Sequence, residues 1–259
     1  MWNLIGMAAG WDNLGKLKVL KSSELLAERL KQEILSEEYP LGAPLPTERE
    51  LVSTTGLSRG SVREALKMLE AQGLVETKAG RYGGSTVSQP SDTLLASHIN
   101  LYAKGRSVSL RSLVEVRQAL EPMVAYLAAL NRTEDNLVEL GEISKRLEAA
   151  ELDDVSAFLE ENMKWHDALA QASDNELLCA LSRSVAGLLF QASQIENFAS
   201  EKVRQRVVRA HGRILQAIVA GDCEAARRRV ERDVQAYATY LEAAVAAAGL
   251  ETIVGSDCG

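Results

Sequence analysis

Two groups of side chains in this sequence have the types and spacing to do chemistry. The first lies in the segment from Leu45 to Val87. Arg59 and Arg63 are four residues apart, so on a helix they share one face. A guanidinium is a rigid fork of donors that can grip guanine O6 and N7, or a phosphate, through paired hydrogen bonds. Ser58, Gly60 and Ser61 surround Arg59, and Arg49 lies ten residues upstream. Serine hydroxyls and the free N–H groups of a helix start suit phosphate oxygens. Downstream, Arg81-Tyr82-Gly83-Gly84 combines a cation with two glycines, which let a backbone approach a nucleic acid without a side-chain clash.

The second group is built on scarce imidazole. The chain has three histidines, His98, His166 and His211. Asn162 and His166 stand at i and i+4, and His211 and Asp233 each stand eleven residues from Asp222. If two helices fold back at Asp222, both residues sit about 16 Å from the turn, at about 1.5 Å rise per residue. Four nitrogen and oxygen donors then meet inside a helix bundle, a usual way to hold a divalent metal such as Zn, Ni or Mn. A metal-free polar pocket is the competing reading, because a lone helical histidine is more often simply packed or solvated.

These residues need elements to position them. Leu26, Leu30 and Ile34 recur at helical spacing after Ser22-Ser23, where a serine can cap. Pro40, Gly42, Pro44 and Pro46 break that helix. T-E-R-E (47–50) is a capping-box pattern opening a short helix that ends at Gly56. Ser58 caps the next helix, whose Val62, Ala65, Leu66 and Leu69 make a core-facing stripe opposite the arginines. Strand-like Leu74–Thr77 and Thr86–Ser88 flank the glycine turn. The order is helix, helix, tight turn, helix, β-hairpin, a winged helix-turn-helix pattern. A linker occupies 90–94. Seven helices follow near 93–105, 109–130, 133–151, 153–173, 175–195, 199–221 and 222–248. The breaks carry Gly, Asn, Asp or Thr, as caps require. The expected organisation is a tail at 1–18, a reader domain at 19–89, a helical domain at 95–249 and a tail at 250–259. The fold class is mainly α with one small β-hairpin.

Bulk properties constrain the rest. The chain has 259 residues, 46% hydrophobic and 25% charged, a globular balance. Net charge is −7 but unevenly spread: residues 16–90 hold 11 Lys+Arg against 10 Asp+Glu, and the remainder 18 against 26. A near-neutral reader with its arginines on one face is therefore compatible with a nucleic-acid partner. Cys179, Cys223 and Cys258 form no CxxC pair, which fits a cytoplasmic setting and gives no thiolate zinc site. No apolar run is long enough for a membrane helix.

P-L-P-T-E-R-E-L (44–51), G-L-S-R-G-S-V-R-E-A-L (56–66), L-E-A-Q-G-L-V (69–75) and G-G-S-T-V (83–87) resemble the winged helix-turn-helix of the GntR family of bacterial transcription regulators, over about Ser22 to Gln89. The resemblance implies that Arg49, Arg59 and Arg63 contact DNA, with a wing glycine at Gly83 or Gly84. V-R-Q-A-L-E (116–121), N-x-x-W-H (162–166), A-H-G-R-I-L-Q-A-I-V-A-G-D (210–222) and A-x-x-x-V-x-x-D (226–233) resemble the FCD ligand-binding domain of the FadR subfamily. Its members often bind a metal through one aspartate and three histidines. Here Asn162 stands at the aspartate position and Asp233 at the last histidine position, which keeps the ligand charge at −1. The resemblance also marks Arg117 as the residue that grips an effector carboxylate, where spacing alone allows an i,i+4 surface pair with Glu121. Arg213, beside His211, is a weaker effector candidate, and Arg227-Arg228-Arg229 reads as a solvated face.

The expected function is a homodimeric repressor of double-stranded operator DNA, controlled by a small carboxylate in the helical domain. The alternatives are a metal-free sensor of a bulkier ligand such as an acyl thioester, a DNA-binding protein with no effector, and a metal-dependent hydrolase. The last lacks a general base or nucleophile beside the histidines and is the remote alternative, which turnover of a candidate acid would revive.

Overall fold

The computed structural model describes residues 21–78, 80, 83–150, 155–193 and 200–248. The expected tails, Arg81 and Tyr82 of the wing, and the breaks at Asp153-Asp154 and Asn197 lie outside the described residues. The chain divides into two compact units, Met1–Ser91 and Asp92–Gly259.

The first unit contains α1 (Ser22–Leu35), α2 (Glu48–Thr55), α3 (Arg59–Ala71), β1 (Val75–Lys78) and β2 (Gly84–Val87). Local chemistry sets the helix starts. Thr47 caps α2 by accepting the Glu50 N–H, and the Glu50 carboxylate accepts the Thr47 N–H in return. Gly56 ends α2 in the left-handed region at φ 70°, which a Cβ would strain. Two residues later Ser58 caps α3 by accepting the Ser61 N–H. The start of α1 differs from expectation. Its cap position is Lys21, whose N–H bonds Glu24, while Ser23 is buried and donates its hydroxyl to Glu64 of α3. Serine is serving a tertiary contact there rather than a cap.

The core of this unit gathers Leu26, Leu30 and Ile34 from α1, Leu51 from α2, and Val62, Ala65, Leu66 and Leu69 from α3. β1 and β2 pair antiparallel from Val75↔Val87 to Lys78↔Gly84. Val75 and Val87 face the core, and Pro44 bridges to Thr86. The second strand begins two residues earlier than its sequence suggests, because Gly84 and Ser85 read as turn residues yet still ladder with Lys78 and Thr77.

Within the described residues the second unit is seven helices: α4 (Asp92–Gly105), α5 (Leu110–Asn131), α6 (Glu134–Ala150), α7 (Val155–Gln171), α8 (Glu176–Ser193), α9 (Glu201–Ala220) and α10 (Cys223–Ala248). The helical domain therefore begins at Asp92, inside the segment expected to be a linker. An acidic side chain suits a helix N-terminus, and the Arg183 guanidinium of α8 holds Asp92 there at 2.5 Å. Ser109, Thr133 and Asn175 each accept a first-turn N–H of the helix that follows. Asp222 does the same for α10. The central α5 packs along α10, and the main core joins Val124 and Ala128 to Trp165, Leu169, Ile214, Ile218, Val230 and Val234.

The α9–α10 turn matters most for the site. Gly221 takes φ 69° and accepts the turn that reverses the chain. The left-handed backbone is what requires glycine; a Cβ there would also meet the Arg132 guanidinium at 2.9 Å, the movable end of a flexible side chain.

Candidate functional site

In the first unit, α3 presents Arg59, Gly60 and Arg63 to solvent, with its apolar stripe buried beneath. Arg49 of α2 is also exposed, as are Gly83 and Gly84 of the hairpin. Gly60 has an ordinary φ, and an added Cβ would meet nothing closer than the Ser58 hydroxyl at 3.7 Å. The fold itself has no need of glycine at that position. Ser58 and Ser61 are already engaged with each other at the helix start, at 3.0 Å between hydroxyls. Arg63 is held by Glu48 of α2, its Nε 2.8 and 3.1 Å from the two carboxylate oxygens. Both groups are exposed enough for the pair to open at small cost.

In the second unit four helices converge. α5 supplies Arg117 and Glu121, α7 supplies Asn162 and His166, α9 supplies His211, and α10 supplies Asp233 and Tyr237. Donor atoms of His166, His211 and Asp233 lie within 4.8 Å of one another. His211 Nε2 is 3.7 Å from an Asp233 oxygen, so the helix reversal at Gly221 does bring the two residues level. The His211 ring stacks on Trp165 at 3.7 Å between centroids, 9° from parallel, and is 1% exposed. Neither of its nitrogens has a hydrogen-bond partner, nor does the buried Asn162 Oδ1. Orphaned buried polar atoms are costly, so they mark a place built for something else to bind.

Arg117 is not on the surface. Its Nε donates to Glu121 Oε1 at 2.6 Å, with both side chains 9% exposed. Its Nη2 donates to His166 Nε2 at 2.9 Å, and the guanidinium lies 4.6 Å from the Tyr237 ring centroid. Burial, then the positive charge of Arg117, holds His166 well below its ordinary pKa, so it is a neutral acceptor. Burial pushes the Glu121 carboxyl upward against the pull of Arg117.

Arg117, Asn162, His166, His211 and Asp233 thus share one cavity of about 80 Å³. Arg213 is not among its walls. Its side chain is exposed, and its carbonyl accepts a bond from Arg229. Its place at the cavity is taken by Arg206, about two helical turns earlier on α9. Sequence reasoning missed Arg206 and Tyr240, which hold each other at 3.1 Å, and also Tyr237. The only sequence signal for Tyr237 was its i+4 relation to Asp233.

Comparison with known proteins fits this geometry. Residues 22–83 match the model for bacterial regulatory proteins of the gntR family, and residues 112–236 match the FCD domain model. HTH-type transcriptional regulator LutR of Bacillus subtilis is 33% identical over 193 residues, spanning 73% of this chain and 87% of that protein. The chain belongs to the GntR family. The Uxu operon regulator of Haemophilus influenzae is 31% identical over 210 residues, 78% of this chain and 75% of that protein. A solved Streptococcus agalactiae GntR structure superposes with a TM-score of 0.62 at 27% identity, covering 84% of this chain and 99% of that one. This GntR-family protein is therefore a DNA-binding transcription regulator with an FCD effector domain, not an enzyme. No helix among the described residues is long and apolar enough to cross a membrane.

Proposed function

We propose that the regulator binds an operator as a homodimer and that a small carboxylate in the helical unit controls that binding, relieving repression. Arg59 and Arg63 read base edges, Arg49 and the Gly83-Gly84 wing add backbone contacts, and the bare Gly60 lets α3 approach the duplex. Arg117 grips the effector carboxylate. The observation that carries the sensor reading is the set of unpartnered buried atoms on Asn162 and His211 beside a buried guanidinium.

The cavity of about 80 Å³ suits a small acid. At about 10–15 Å³ per water-sized volume it accepts roughly six such units, too few for an acyl thioester. Its donor set also fits a divalent cation. Asn162, His166, His211 and Asp233 together carry one negative charge, and three of these residues already cluster. Such an ion would supply positive charge toward the effector carboxylate. The oxygen of Asn162 and the carboxylate of Asp233 make the set harder than one rich in imidazole. Whether or not an ion is present, the chain's own residues do the gripping. Arg117 has three neighbours to exchange against an incoming carboxylate, and the neutral His166 accepts rather than competes.

The test is fluorescence-anisotropy binding of an operator fragment, with the protein stripped by chelator and then reloaded with Mn, Ni or Zn. Short hydroxy acids are expected to weaken operator binding, more strongly after reloading. Operator affinity unmoved by any short acid, with or without metal, would sink the sensor assignment. Metal content at trace level after reloading would sink the ion alone.

A further inference from the structure

We propose that the outer groove between α9 and α10 is a binding site for a small phosphate-bearing anion, separate from the effector cavity.

Spacing along the two helices builds the groove. Arg206 and Arg213 stand seven residues apart, about two turns along one face of α9. Arg229 and Arg232 stand three apart on α10, again on one face. Arg213 and Arg229 each lie eight residues from Gly221, so the helix reversal sets them level. All four arginines line one recess of about 270 Å³. A neighbouring recess shares Arg206 and Arg232 and adds Arg228. Ala210 and Ala236 also line the first recess, and their short side chains leave it open. The run Arg227-Arg228-Arg229 is therefore not one solvated face. Arg227 pairs with Glu224 at 2.8 Å, while Arg228 and Arg229 line the groove.

The positive charge here is unmatched. Elsewhere on the same unit the exposed Arg111, Arg146 and Lys164 each hold a carboxylate. Among the described residues none of the five groove arginines forms an ion pair. One carboxylate, Asp233, lines the first recess against four guanidiniums, and it also faces His211 at 3.7 Å. Two of the arginines are already held in place. Arg206 Nη1 donates to the Tyr240 hydroxyl at 3.1 Å, and Arg229 Nη1 donates to the Arg213 carbonyl across the groove. Each bond uses one N–H of a fork of five and leaves the others for a ligand.

This arrangement selects the anion. A carboxylate is planar, and a single guanidinium fork satisfies it. A phosphoryl group carries more charge and presents three oxygens in different directions, so forks from both helices can grip it at once. Roughly twenty water-sized volumes fit the recess, room for the group and for what bears it. Cations gathered around a recess suit a compact anion, whereas a duplex backbone is met by cations spread along a ridge. The groove borders the effector cavity at Arg206, Asp233 and Ala236, but Arg213 and Arg232 line the groove alone, so they report on it separately.

The experiment is calorimetric titration of the metal-stripped full chain with inorganic phosphate, pyrophosphate and glucose 6-phosphate. Tricarballylate is the carboxylate control, similar in charge to pyrophosphate. Pyrophosphate is expected to bind about tenfold or more tighter than tricarballylate. Arg213→Gln and Arg232→Gln, both at exposed positions, should each weaken it about five- to tenfold. Arg232→Lys should lose less, and Arg59→Ala in the reader should lose nothing. Glucose 6-phosphate binding tighter than inorganic phosphate supports the site with a phosphorylated metabolite as its source; the reverse order supports it with the free anion. Equal affinity for tricarballylate overturns the site, since charge alone then explains binding. So does a loss in Arg59→Ala with none in Arg213→Gln and Arg232→Gln, which places the anion in the reader. Absence of pyrophosphate binding overturns it too. If the same two groove variants then weaken binding to a non-operator duplex, the groove is a nucleic-acid face instead.

Discussion

Replacing Arg117 by methionine removes the cation but keeps most of the side-chain volume. The neighbour it abandons is Glu121, 7% exposed, with one oxygen already unpartnered. Breaking a buried pair by removing one member typically costs about 3–5 kcal/mol, because the remaining charge has neither partner nor water. Loss of the bond to His166 and the contact with Tyr237 acts in the same direction. For a domain of this size each kcal/mol moves the melting point by roughly 2–4 °C, so Arg117→Met should lower it by roughly 6–20 °C. The double variant Arg117→Met/Glu121→Leu removes both charges and should return to within about 1 kcal/mol of the parent. Urea unfolding followed by circular dichroism measures all three proteins. Operator affinity, read at a temperature where each is folded, should survive in both variants while the response to acids disappears. A single variant within about 1 kcal/mol of the parent would refute the buried-pair argument, as would a double variant no better than the single.

Four further outcomes follow from the same structure. Arg59→Ala and Arg63→Ala should each cost about 1–3 kcal/mol of specific operator binding in an anisotropy titration, the usual worth of a good base contact. Glu48→Gln should tighten operator binding by up to about fivefold, because freeing Arg63 from an exposed pair saves less than about 1 kcal/mol; weaker binding would mean that Glu48 orients Arg63. Gly221→Ala should destabilise the helical unit by about 1–2 kcal/mol through the left-handed backbone alone, with Arg132 forced aside; an unchanged unfolding midpoint would contradict the turn's role. Thr47→Ala should cost about 1 kcal/mol of stability in the first unit from the lost cap, and a midpoint shift below about a quarter of that would count against it.

Much was legible from local rules. T-E-R-E and Ser58 cap α2 and α3 as written, since a cap is decided by residues within one turn. Seven helices, and the breaks between them that lie among the described residues, could be placed because helical period and cap chemistry are also local. Equal distance from Asp222 brought His211 and Asp233 together, since a helical hairpin preserves level. Long-range packing decided the rest. Arg117 four residues before Glu121 looks the same whether the pair is solvated or buried. Only α10 and α7 closing over α5 turn it into a desolvated pair touching His166. Ser23 looks like a cap until α3 offers Glu64. Arg213 adjoins the histidine in sequence and shares a helical face with Arg206, but Arg206, about two turns earlier, lines the cavity instead. The sequence alone determined that the chain carries a helix-turn-helix reader and a helical sensor. The tertiary structure decided which polar groups lie buried without partners, because burial is set by every helix that packs against a residue and not by its neighbours in the chain.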